Sequence, residues 1–77
     1  MNPIEKKLTP EEAVEQALDN AEYAHRGNSP EQEEFTGTAY SFYKELIVGG
    51  AVAGDPLTRE KFMNRAIEEY VAIFVEA

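Results

Sequence analysis

"LTPEEAVEQALDNAEYAHRGN", residues 8–28, sets the pattern from which the fold is read. Thr9 stands three residues before Glu12. A threonine hydroxyl at a helix start accepts the third-residue N–H, and a glutamate at that third position reaches back to the cap's own N–H. Pro10 between them suits the first helical position, where its missing N–H costs nothing. Gly27 is suited to the left-handed residue that closes a helix. At about 100° per residue, Glu11, Glu12, Glu15, Asp19 and Glu22 fall on one face, and Ala13, Val14, Ala17, Leu18, Ala21 and Ala24 on the other. The apolar face is mostly alanine, so another helix can approach it closely.

The same grammar recurs twice. In "NSPEQEEFTGTAYSFYKELIVGG", residues 28–50, Ser29, Pro30 and Gln32 are placed as cap, first residue and box partner. Glu31, Glu33 and Glu34 suit the positive end of the helix dipole. Phe35, Ala39, Phe42 and Leu46 form one stripe, and Thr36, Tyr40, Tyr43 and Ile47 a second beside it. In the third segment either Asp55–Pro56 or Thr58 opens a helix. Phe62, Met63, Ala66, Ile67, Tyr70, Val71, Ile73 and Phe74 then cover nearly half its circumference. "ELIVGG" is the nearest approach to a strand, but it continues the second helix's stripes. The prediction is an all-α three-helix bundle with helices over about 10–26, 30–48 and 57–76, a tail at 1–8 and one domain from 9 to 77.

The glycine-rich connection "IVGGAVAGDP", residues 47–56, is not a phosphate loop. No strand precedes it, no lysine lies in it, and Asp55 would repel an anion at the next helix start. It reads as a helix end followed by a flexible connection or hinge.

Fifteen acidic residues against seven basic ones give a net charge of −8. Phosphate binding needs clustered Lys and Arg, so direct nucleic-acid binding is not expected. No cysteine is present, so neither disulfides nor thiolate metal sites enter. "MNPIEKKL" lacks the apolar run of a signal peptide, and no stretch reaches the length of a membrane span. The expectation is a cytoplasmic protein.

Size, acidity and helical content invite comparison with acyl carrier proteins. Those carry their prosthetic arm on the serine of an Asp-Ser-Leu motif. The serines here stand in "NSPEQ" and "AYSFY", and the resemblance is rejected.

The candidate chemistry is sparse. Glu22 and His25 have the Glu-x-x-His spacing of carboxylate-bridged metal bundles, but one copy of the motif is a fraction of such a site. Tyr23, His25 and Arg26 gather an aromatic, an imidazole and a guanidinium that could hold a nucleotide, although Glu22 and Arg26 have the spacing of a helical ion pair. No nucleophile has a base beside it, so neither an enzyme nor a cofactor is expected.

The second and third helices, by contrast, carry wider apolar arcs than a three-helix core uses, a little over 100° each. The surplus includes Tyr40, Tyr43, Ile47, Val71 and Val75. This points to a helical protein-interaction module, dimeric or larger, with Tyr40, Phe42, Tyr43, Ile47, Tyr70 and Val71 as contacts. Such a module acts sterically on itself or another protein, as an adaptor, an assembly subunit or an inhibitor, in the manner of small bacterial or phage accessory proteins. The alternatives are a metal or nucleotide protein using Glu22, Tyr23, His25 and Arg26, and a nucleic-acid mimic using Glu11, Glu12, Glu15 and Asp19.

Overall fold

The computed structural model describes residues 7–76. Three helices run α1 Pro10–Ala24, α2 Gln32–Val48 and α3 Arg59–Tyr70, and a π-helical turn, Val71–Val75, continues α3. Consecutive helices are antiparallel neighbours. α2 is the central element, with α1 and α3 packed on it and meeting each other over a short stretch.

α1 begins as its local chemistry dictates. The Thr9 hydroxyl accepts the Glu12 N–H at 3.1 Å, and the Glu12 carboxylate accepts the Thr9 N–H at 2.9 Å. The helix closes through His25, with Gly27 following at φ 84°. Ala13, Val14, Ala17 and Ala21 are fully buried, so the alanine face is the one that meets α2.

α2 departs from the expected start. Its N-cap is Glu31, not Ser29, and the Glu34 carboxylate accepts the Glu31 N–H at 3.2 Å. Pro30 is buried outside the helix, and its carbonyl accepts the Tyr70 hydroxyl at 2.7 Å. A tertiary bond from α3 thus holds Pro30 in the approach to the helix. α2 ends at Gly49 in a Schellman arrangement. Gly50 at φ 76° donates to the Ile47 carbonyl, and Ala51 donates to that of Leu46.

The connection that follows is fastened. Leu8 donates to Ala51 at 2.8 Å and accepts from Ala53 at 2.8 Å, forming a parallel bridge to Val52. Leu8 therefore belongs to the folded domain, and residues 1–6 of the expected tail lie outside the described residues. The pairing leaves Val52 half-buried against the core. Thr58, rather than Asp55, caps α3.

Val14, Phe35, Tyr43 and Phe62 are the largest fully buried side chains. Tyr43 stacks on Phe62 with centroids 4.6 Å apart. Toward the other end, Phe35 meets Phe74 edge-on at 5.4 Å and Tyr70 at 5.9 Å. No described helix is long and apolar enough to cross a membrane.

Candidate functional site

The six expected contact residues separate into core, half-core and surface. Tyr43 is the clear correction. It is fully buried, and its hydroxyl accepts the Leu57 N–H at 2.7 Å. Burial raises its pKa above the usual tyrosine value, opposed by that hydrogen bond and reinforced by Glu11 and Tyr40. It fastens the connection to the core and has no surface to offer a partner. Phe42, Ile47 and Tyr70 are half-buried and packed against the same core. Most of the apparent surplus on α2 is thus absorbed internally.

Tyr40 is half-buried, with its ring 5.6 Å from that of Phe62. Two cations lie over it, Lys44 Nζ at 5.6 Å and the Arg59 guanidinium at 5.5 Å from the ring centroid. Among the described residues neither cation has a carboxylate within ion-pair distance. Among the described residues the one ion pair is Arg65–Glu11, at 2.7 Å. The i,i+4 spacing of Tyr40 and Lys44 was the available signal for half of this cluster; Arg59 arrives from α3 and had none.

Apolar surface that is not absorbed remains at Val48, the 86% exposed last residue of α2, and along α3 and the π turn. Met63 packs against the core, but Ile67, Val71 and Val75 stand outside the residues that do. Ile67 and Val71 are half-exposed, and Val75 is 63% exposed. Val71 alone of these three was among the expected contacts. Ile67 was counted with the core arc, and nothing in its spacing separated the two.

The second candidate group is only partly brought together. His25 Nε2 lies 3.1 Å from the Thr38 hydroxyl oxygen, and its ring is 6.2 Å from that of Phe35. Glu22 is exposed. No group of three or more metal-capable side chains exists among the described residues. The expected Glu22–Arg26 ion pair does not form. The Arg26 guanidinium lies 5.0 Å over the ring of Tyr23, which is 71% exposed.

The acidic face of α1 is partly engaged within the fold. Glu12 closes the capping box, and Glu11 holds Arg65. That hydrogen bond raises the Arg65 pKa further, against a smaller opposing effect of burial. Glu15 and Asp19 share a groove with Leu18, Arg65 and Glu69.

No protein-family model, curated protein or solved structure matches the chain. The class the coordinates define is a small all-helical domain, and its function is argued from its surface.

Proposed function

We propose that this chain is a small acidic interaction module of the cytoplasm, which associates with itself and acts sterically on a partner protein as an adaptor, assembly subunit or inhibitor. The observation that carries the reading is the line of Ile67, Val71 and Val75 on α3. Val75 is 63% exposed, Ile67 and Val71 are half-exposed, and none of the three is among the residues packed on the core. On so small a domain, apolar side chains left outside the core favour a docking role. The absence of cysteine agrees with a reducing compartment.

Sedimentation of the wild type and of Val71→Glu tests this. The wild type is expected to gain mass with concentration, and the variant to remain monomeric with unchanged helicity. A wild type that stays monomeric at every concentration would refute the self-association.

A second reading has one observation in its favour, the exposed stack of Arg26 on Tyr23, which could hold an anionic aromatic ligand such as a nucleotide. Calorimetric titration with nucleotides, repeated on Arg26→Ala, decides it.

A further inference from the structure

We propose that residues 52–56 form a flap against the core, strapped shut by Leu8, and that strap and flap open together while the three helices stay folded. The inference does not rest on the self-association above.

The segment between α2 and α3 is anchored at both ends. At one end the Ala51 N–H donates to the Leu46 carbonyl at 3.0 Å. At the other the Leu57 N–H donates to the Tyr43 hydroxyl at 2.7 Å. Between these anchors the chain is held through Leu8. The Leu8 N–H donates to the Ala51 carbonyl, and the Ala53 N–H donates to the Leu8 carbonyl, each at 2.8 Å. Val52, Gly54 and Asp55 donate to no backbone carbonyl among the described residues, and Pro56 has no N–H to give. Residues 53–56 are all exposed. Two backbone bonds and two apolar side chains, Leu8 and Val52, each half-buried against the core, therefore keep the flap down.

These contacts are made and lost as a set. The bridge is isolated, so no neighbouring pair of a ladder holds it in register once one bond breaks. Leu8 stands just before Thr9, and the start of α1 is fixed by its own capping box, so the strap swings away without unwinding the helix. Gly54 gives the flap a turning point. Its φ is 77°, and nothing lies within 4 Å of where a side chain would begin. Glycine also gains the most backbone freedom on release. The helices are held by fully buried side chains of their own, Val14, Phe35, Tyr43 and Phe62. A segment with few buried apolar contacts and an exposed backbone opens locally, below the cost of global unfolding. Opening turns Leu8 and Val52 to water. It also frees the Ala51 carbonyl and the Ala53 N–H, the kind of groups with which an extended chain pairs.

Amide hydrogen exchange resolved by NMR, on the whole chain at low denaturant, tests this. The Leu8 and Ala53 amides are expected to show equal opening free energies, smaller than those of the Ala17 and Ala39 amides inside α1 and α2. Their exchange should be nearly independent of denaturant, because the opening exposes little surface. Leu8→Ala should speed exchange at Ala53, and Val52→Ala at both Leu8 and Ala53, by about threefold or more, as the loss of a half-buried apolar side chain implies. Exchange at Ala17 and Ala39 should stay unchanged, which also shows that each variant is folded.

Leu8 and Ala53 amides that exchange only with global unfolding, at the denaturant slope of the helices, would overturn the flap. So would an Ala53 amide that exchanges as fast as in an unstructured peptide. Unequal opening free energies at Leu8 and Ala53, or a Leu8→Ala variant that leaves Ala53 unchanged, would overturn the strap.

Discussion

Replacing Tyr43 with Phe probes how the glycine-rich connection is fastened to the core. The substitution keeps the ring stacked on Phe62 and removes only the oxygen that accepts the Leu57 N–H at 2.7 Å. A typical intramolecular hydrogen bond contributes about 1 kcal/mol net, and Leu57 is half-exposed, so water can partly replace the lost partner. On a 77-residue domain that amount lowers the melting temperature by roughly 4–8 °C. Thermal unfolding followed by circular dichroism reads it. Alkaline pH gives an independent reading of the same group. Desolvation raises the Tyr43 pKa in the folded chain, so the native state keeps its proton where the unfolded chain has lost it. The contribution is fully present below the unfolded value near 10 and is lost as pH rises from there through the higher folded value. The stability difference between wild type and Tyr43→Phe should therefore shrink above about pH 10. An unchanged melting temperature, with no difference in alkaline response, would refute the placement of this hydroxyl in the core.

Two glycines give opposite predictions although a methyl group would meet nothing within 4 Å at either. Gly37→Ala, inside α2 with ordinary helical dihedrals, should stabilise by about 0.5–1 kcal/mol, read as a rise in melting temperature. Gly50→Ala, at φ 76°, should destabilise by about 1–2 kcal/mol in the same assay. Thr9→Ala removes the hydroxyl half of the capping box and should cost about 1 kcal/mol in denaturant unfolding. Arg65→Ala breaks an exposed ion pair with Glu11 and should cost less than about 1 kcal/mol, with the difference falling further in high salt.

The parts of the fold that were legible are those decided within one turn of chain. Thr9, Pro10 and Glu12 specify the start of α1 by contacts no more than three residues apart, and the structure has them as read. Ser29 and Pro30 follow the same grammar, yet α2 starts at Gln32. There the Tyr70 hydroxyl, from the end of α3, bonds the Pro30 carbonyl. The bridge of Leu8 to Val52 was hidden for the same reason, since neither partner carries a local sign of the other. Periodicity reported the width of the apolar arcs but not which edge of each faces the third helix. Tyr43 and Val71 were equivalent at that level. Phe62 and Leu57 draw Tyr43 inward, while Val71 stays half-exposed and outside the residues packed on the core. The π turn at Val71–Val75 was equally silent, because "VAIFV" satisfies an α-helical pattern.

The most direct measurement is sedimentation equilibrium of the wild-type chain over rising concentration, in salt of about 0.15 M so that repulsion between two copies is screened beyond about 8 Å. The account predicts a reversible monomer–dimer equilibrium that Val71→Glu abolishes while helicity is retained. A single monomeric mass at every concentration, identical for both proteins, would contradict it.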